Sequence, residues 1–526
     1  MIFATFKPGT APVEAVAAAV LGLLICGCGG WTPGAEVGAA GRPPALSPDY
    51  RSVTIPPNIA PLNVRVVEAG TAFHVTLEGE GGGALVVASG DGNVRFPVAP
   101  WRELLGRNRG KRLTLRVVTR GADGRATAYS PVRIEVAREE IDPVLVYRFI
   151  VPHFNVWNDI RICQRDLTGF TVEPVLRGLQ FGNGCTNCHA FSAGSPRSMS
   201  IGTRGGRLPG LSSASLVLRD GELRRVKSPW GYTAWHPDGR HAAYSLNRVR
   251  QFFHGAGQQV PDVLDLDSEI VVCDVETGQV FTSPAIANPD RLETYPGWSP
   301  DGRTLYFSSA PILWTDRHRM IPDRYSEVRY DLCRVAVDLK TRRFGKVETV
   351  LSAADAGGSV LIGRVSPDGR WLVSCVCDYG CFPIYRPSSD LHLIDLSTGA
   401  RRKLEEWSSP ESDSYHSWSS NGRWCAFSSK RDTGVFTRTY FGYFGPDGRG
   451  AKPFVLPQED PEFYDSCTRT FTVPELLREP IPVGSRAFGR AARSSAGASL
   501  SLPATTLGPG SAATEGASGS SRSGLQ

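Results

Sequence analysis

The chain of 526 residues is poor in methionine, with 3, and in histidine, with 9, and it carries no block of like charge. Its 58 basic and 52 acidic side chains leave a net charge of +6 spread along its length, so no basic stripe exists for nucleic acid, and nucleic acid is excluded as the main ligand. No apolar run reaches the roughly 18 residues of a spanning helix except near the start, which confines any contact with a bilayer to that end. What the chain has in quantity is turn chemistry, with 57 glycines and 39 prolines. Such a composition favours many short strands over long helices. With 41% hydrophobic and 9% aromatic residues it fills real cores, and at roughly 150 residues per domain it has room for about three.

The beginning reads as an export signal. Lys7 precedes an apolar run over 15–25, and Gly27-Cys28 supplies a small-residue step after it. The stretch Leu24-Ile25-Cys26-Gly27-Cys28-Gly29-Gly30 resembles a bacterial lipobox, in which the cysteine after the small residue takes the lipid. The expectation is a signal peptide over 1–27, a lipid on Cys28 and a periplasmic or cell-envelope location with that anchor as the only membrane attachment. The Gly/Pro-rich residues 28–55 then form a flexible tether.

Over 56–138 the hydrophobic pattern alternates in short runs at 63–67, 73–77, 84–88, 113–119 and 129–136, with Asp91-Gly92 and Asp123-Gly124 as turns. This predicts a small β-sandwich with one helical turn near 101–105 and no catalytic feature.

A repeat follows. Trp235-His236-Pro237-Asp238-Gly239-Arg240 recurs as Trp298-Ser299-Pro300-Asp301-Gly302-Arg303, as Val365-Ser366-Pro367-Asp368-Gly369-Arg370, and more loosely as Trp418-Ser419-Ser420-Asn421-Gly422-Arg423. Each copy leads into an alternating strand, so each is a hairpin turn whose glycine takes a positive φ. Downstream of most copies lies a second turn, as in Asp274-Val275-Glu276-Thr277-Gly278 and Asp395-Leu396-Ser397-Thr398-Gly399. Two hairpins per period make four strands, which is a propeller blade. Weaker copies at 165–169 and 218–221 place the opening strands near Tyr147, and ring closure is expected near 463–472 with five or six blades in total. The division is a connector with the opening strands over 139–184, a β-propeller over 185–475 and a disordered Ser/Gly/Ala-rich tail over 476–526. The fold class is all-β. No room remains for a hydrolase domain beside the propeller.

Cys185-Thr186-Asn187-Cys188-His189 is a Cys-x-x-Cys-His sequence. In c-type haem attachment two thiols bond the two vinyl groups of one porphyrin, and the adjacent imidazole comes to lie under the iron. A zinc site wants two further ligands at suitable spacing, and no second Cys-x-x-Cys or His-x3-His accompanies this one. A thioredoxin-like dithiol opens a helix after a strand, whereas Gly182, Gly184 and Ala193-Gly194-Ser195-Pro196 describe a loop here. Export would also deliver the chain to the compartment where such haem is attached. The cofactor expected is one covalent haem c, held by Cys185, Cys188 and His189.

Taken with Tyr147-Arg148-Phe149-Ile150, Gln164-Arg165-Asp166-Leu167 and Met199-Ser200, the motif is similar to exported bacterial cytochrome-c-motif proteins that carry TolB-like propellers of the WD-repeat superfamily. The similarity spans most of 60–475. It implies a haem-bearing propeller and contributes no catalytic residues.

The second axial position decides the chemistry. Met199, ten residues beyond His189, is the methionine near the motif, and a thioether there gives a saturated electron carrier. The other reading of Met199 is a buried strand position beside Ile201. His153, His236, His254, His318 and His416 are alternatives, with His236 placed to cap a turn, and if none binds the iron stays open. The leading function is electron transfer to a redox partner protein whose identity the sequence leaves unknown. Its rivals are a haem enzyme of peroxidase type and a non-redox envelope binding scaffold. Cys375, Cys377 and Cys381 crowd one hairpin and are open to a disulfide or to buried thiols. Asp262, Asp265, Asp267 and Glu269 lack the glycine and spacing of a calcium loop, so a solvated face is expected.

Overall fold

The structure is a computed structural model. It describes residues 24–25, 31–152, 159–205, 212–228, 230–257, 261–316, 319 and 321–500. The export signal and Cys28 therefore lie outside the described residues apart from Leu24–Ile25, which pairs with Ala84–Ser89.

From Val144 onward the strands group into six sheets that follow one another in sequence, and these are the blades of a β-propeller. Blade 1 is shared between the two ends of the propeller. Its inner strand Thr470–Leu477 pairs with Val144–Ile150, which leads to Arg161–Asp166 and Val172–Arg177. Blade 2 runs Cys185–Ser192, Ser195–Arg204, Ala214–Arg219 and Glu222–Val226. The inner strands of blades 3, 4, 5 and 6 are Gly231–Trp235, Arg291–Trp298, Ser359–Val365 and Asp413–Trp418. Among the described residues the sheets of this region number six, and closure falls at Thr470–Leu477, slightly later than the sequence suggests.

The two repeated turns explain themselves locally. In blade 4, Ser299 donates its hydroxyl to Asp301 at 2.6 Å, Asp301 accepts from the Arg303 amide at 3.1 Å, and Gly302 supplies φ 72°. In the second turn Asp274 accepts from the amides of Glu276 and Thr277, with Gly278 at φ 71°. The two turns meet within a blade, because Arg240 of the first donates to the Asp274 carboxylate at 2.6 and 3.1 Å. Arg370 and Asp395 repeat the arrangement in blade 5.

Ahead of the propeller, a sheet ordered Ala84–Ser89, Ala72–Gly79, Arg112–Arg120, Ala126–Ala128 and Val37–Ala39 packs with the three-stranded sheet of Leu46–Ser47, Val64–Val66 and Asn93–Val94. The helix Val98–Arg107 adds Trp101, fully buried, whose indole donates to the Ile59 carbonyl at 2.9 Å. This module is fastened to blade 6. Asn63 donates to the Glu459 carbonyl at 2.8 Å, Arg95 meets Asp460 at 3.0 Å, and Trp424 donates to the Glu139 carbonyl at 3.0 Å.

Two expectations are corrected. The supposed tether over 28–55 contributes strands at Val37–Ala39, Leu46–Ser47 and Thr54–Ile55, and Tyr50, Val53 and Ile55 are buried. Its prolines and glycines shape edge strands, which is where they are tolerated. The supposed tail from 476 onward first completes the closing strand and then forms the helix Ser485–Arg493. Phe488 of that helix is fully buried against Ile162, Leu176 and Phe181.

Candidate functional site

Every inner strand carries a β-bulge at the same place, with two residues facing one on the second strand. The pairs are Val473-Pro474 in blade 1, Tyr232-Thr233 in blade 3, Tyr295-Pro296 in blade 4, Ile362-Gly363 in blade 5 and Tyr415-His416 in blade 6. The first residue of each pair is left-handed, with φ of 53°, 45°, 53°, 56° and 44° in that order. A non-glycine residue in that region costs about 1–3 kcal/mol and persists where the surroundings over-determine it. In blade 2 the bulge falls between Thr186 and His189, so Asn187-Cys188 is its pair. The Cys-x-x-Cys-His sequence thus occupies the inner strand Cys185–Ser192 in the register of the propeller repeat. The loop expected there is corrected: Gly182 and Gly194 bound the strand, and its interior is paired on both sides of the bulge.

Three of the bulge residues form an aromatic cluster. The Tyr232 and Tyr295 rings lie 4.1 Å apart between centroids, and the Tyr295 hydroxyl is 2.8 Å from the Cys381 carbonyl and 3.3 Å from the Tyr415 hydroxyl. Burial raises all three phenols, so they remain protonated donors. Cys188 stands close enough to Tyr232 and Tyr415 to add to that effect.

His189 is buried, and neither ring nitrogen has a hydrogen-bond partner. Backbone of Val473 and Asn187 passes nearby, off hydrogen-bond geometry. Burial, with Arg148 and then Arg364 adding repulsion, pushes its pKa down to about 3, so the imidazole is neutral. Arg148 donates to the Asn187 carboxamide and, at 3.0 Å, to the Thr472 hydroxyl. Cys185 is buried, which raises its thiol, and Cys188 is partly exposed. Among the described residues all ten cysteines are free thiols, Cys375, Cys377 and Cys381 included.

Met199, expected from the sequence as the distal ligand, lies on the strand next to that of His189. It lies opposite Phe191, and His189 lies opposite Ile201, on adjacent strands of one sheet. Residues that face each other, or lie two apart, share a sheet face, so Met199 stands beside His189 on one face of the sheet. Its side chain is fully buried between blades 1 and 2, with Val146 and Leu218. The histidine alternatives are also engaged elsewhere. His236 accepts from the Asp238 amide at 3.1 Å, His254 meets Asp262 at 3.1 Å, and His416 lies 2.9 Å from the Val373 carbonyl. His153 and His318 lie outside the described residues.

The acidic run is corrected too. Asp262, Asp265, Asp267 and Glu269 are all buried, because blade 3 sends out a long hairpin, His241–Phe253 with Pro261–Asp274, that reaches blades 4 and 5. Asp262 takes hydrogen bonds from Arg386, His254 and Tyr379, and Phe252 packs on Tyr325. Asp265 accepts from Asn247 at 3.1 Å while its other oxygen has no partner, and burial lifts its pKa to about 7. The aromatic cluster and this hairpin escaped the sequence reading. Extending the repeat three residues upstream of Trp235, Trp298 and Trp418 reaches Tyr232, Tyr295 and Tyr415 and would have found the first.

No protein-family model and no curated protein matches the chain. Solved structures that resemble it are β-propeller enzymes. The oligogalacturonate lyase of Vibrio parahaemolyticus is 11% identical with a TM-score of 0.31, over 57% of this chain and 92% of that one. The periplasmic gluconolactonase of Pseudomonas aeruginosa is 13% identical with a TM-score of 0.31, over 62% and 99%. Prolyl oligopeptidase B of Galerina marginata is 11% identical with a TM-score of 0.35, over 60% and 45%. Likeness of this degree carries no information about chemistry.

Proposed function

We propose that the chain is an exported c-type haem protein that transfers electrons through one covalently held haem mounted on blade 2. The observation that carries this reading is His189, a buried, neutral imidazole with both nitrogens unpartnered at the end of a Cys-x-x-Cys-His sequence. An orphaned buried polar group costs about 1–3 kcal/mol, and coordination satisfies it. Cys185, ahead of the bulge, and Cys188, its second residue, are both reduced and would form the thioether bonds, with His189 as proximal ligand. Haem bound there would supply a one-electron couple. Arg148 and Arg364, which already disfavour a proton on His189, would likewise favour the less positive, reduced state of a metal bound to it.

Protein made in a host with a c-type maturation system keeps its haem through denaturation on this reading, and Cys185→Ala with Cys188→Ala loses it. Haem that acidified organic solvent extracts from the wild type would overturn the proposal.

The placement of Met199 favours a second reading, a haem enzyme of peroxidase type with an open iron position. A Soret shift on adding cyanide supports it, and a spectrum indifferent to cyanide supports the carrier. The lipid anchor at Cys28 and the envelope location complete the proposal. Lipid anchoring at Cys28 fails if Cys28→Ser and wild type partition identically between membrane and soluble fractions.

A further inference from the structure

Blade 3 departs from its sister blades at its first turn. Blades 4 and 5 place Ser299 and Ser366 ahead of Pro-Asp-Gly, and each serine donates its hydroxyl to the turn aspartate. Blade 3 has His236 there, and His241 where blade 4 has Thr304. One atom from each of His236, Asp238 and His241 converges, all within 4.8 Å of one another.

The protons explain why this convergence is incomplete by itself. The His236 Nε2 atom lies 3.0 Å from the Gly302 carbonyl, which accepts only, so Nε2 carries the proton. In that tautomer the lone pair is at Nδ1, which accepts from the Asp238 amide at 3.1 Å. That same Nδ1 stands 3.0 Å from an Asp238 carboxylate oxygen. Two lone-pair atoms at that separation repel unless a proton or a metal cation is shared between them. On the other side His241 Nδ1 is 2.7 Å from the second carboxylate oxygen. The ring of His236 is also held from behind. A Cβ on Gly302 would lie 2.1 Å from Nε2, so glycine is required there, and Trp298 packs edge-on at 4.9 Å between centroids.

We propose that this turn binds one divalent transition-metal cation through His236 Nδ1, His241 Nδ1 and the Asp238 carboxylate, with His236 Nδ1 giving up its hydrogen bond from the Asp238 amide to the cation. Two imidazoles with one carboxylate suit zinc, cobalt or nickel, whereas magnesium and calcium prefer oxygen alone. The Gly302 carbonyl behind His236 is the outer partner that metal-binding histidines ordinarily have. His241 changes tautomer on binding, moving its proton from Nδ1 to Nε2. The site is half open, with Asp238 exposed at 36% of its side chain, so solvent completes the coordination. It is separate from the haem reading. Blade 2 touches this turn through Ser192, at the end of the Cys185–Ser192 strand, which donates to the His236 carbonyl at 2.9 Å, and through Ser198, which donates to the Gly239 carbonyl at 3.1 Å.

The test is Co2+ titration of the full holoprotein beside a His236→Ser/His241→Thr variant. That variant writes the turn of blade 4 into blade 3, so folding is preserved, and circular dichroism checks it. The wild type is expected to bind one equivalent more Co2+ than the variant, with visible d–d bands. The near-ultraviolet sulfur-to-cobalt band, which cysteine ligation would produce, stays absent from that increment. Asp238→Asn weakens the same increment at least about tenfold. Zn2+ raises the thermal midpoint of the wild type and leaves that of the double variant unmoved. Equal stoichiometry and affinity in wild type and double variant overturn the proposal, as does an increment whose spectrum carries the sulfur band.

Discussion

Arg364 and Glu475 form a two-point ion pair, at 2.9 and 2.6 Å, between the inner strands of blades 5 and 1, with blade 6 between them in the ring. They stand in the same place relative to the bulge as His189 does in blade 2. Burial lowers the basicity of the guanidinium, and the Glu475 charge more than reverses this, so its pKa is raised.

Glu475→Gln is therefore expected to destabilise the protein. Breaking a sealed pair costs about 3–5 kcal/mol, but Arg364 keeps 34% of its side-chain surface exposed, so water relieves part of the loss. A cost of about 1–2 kcal/mol is expected, read as a lowered urea midpoint at unchanged slope. An unchanged midpoint would mean that the pair contributes nothing to closure.

The buried Asp265 makes stability fall as pH rises. Its folded pKa is about 7 against roughly 4 in an unfolded chain, so between those values the folded state holds a proton that the unfolded state has lost. Asp265→Asn mimics the protonated form. It should match the wild type near pH 4 and exceed it at pH 8 by on the order of 2–3 kcal/mol. His416 acts in the other direction. Burial holds it near 3 against about 6.5 unfolded, so its neutral fold is lost as pH falls through that window. Parallel stability profiles for wild type and Asp265→Asn would refute the assignment.

Phe488→Ala tests whether the C-terminal helix is part of the fold. The ring is fully buried between the outer strands of blades 1 and 2, so a loss of about 3 kcal/mol is expected. A thermal midpoint within a degree of wild type would restore the reading of this segment as an appendage.

Gly442→Ala is expected to be costly because a Cβ there would lie 2.3 Å from the buried indole of Trp407. Overpacking of this kind costs about 1–3 kcal/mol. Gly484→Ala, which meets nothing within 4 Å, serves as the neutral comparison in the same denaturation series.

Residues whose role is local were legible in the sequence. Asp301 and Gly302 need only their own turn to explain them, and the same turn in four blades revealed the propeller. Residues that answer to distant neighbours were not. Asp265 reads as a surface acid until the hairpin is seen lying over its neighbours, and Phe488 sits in a segment whose composition mimics a tail. The motif itself was read correctly as a pattern and wrongly as a loop. Gly182 and Gly194 mark its limits, and nothing local announces that Asn187-Cys188 falls on a bulge shared by six strands. The strand reading of Met199 beside Ile201 was legible, but its shared face with His189 was not, because closeness in sequence says nothing about which side of a sheet a residue faces.

The closing strand sets an order of events during synthesis. Thr470 donates to the Ile150 carbonyl from 320 residues farther along the chain, so blade 1 stays open until nearly the whole propeller has emerged. Val473 of that strand is also what passes beside His189. Until it arrives, the blade 1 flank of Cys185–Ser192 lacks the Val473 backbone beside His189. The final strand is thus a late clasp, and on the proposed reading haem attachment at Cys185 and Cys188 would meet a more open blade 2 before the ring closes than after it.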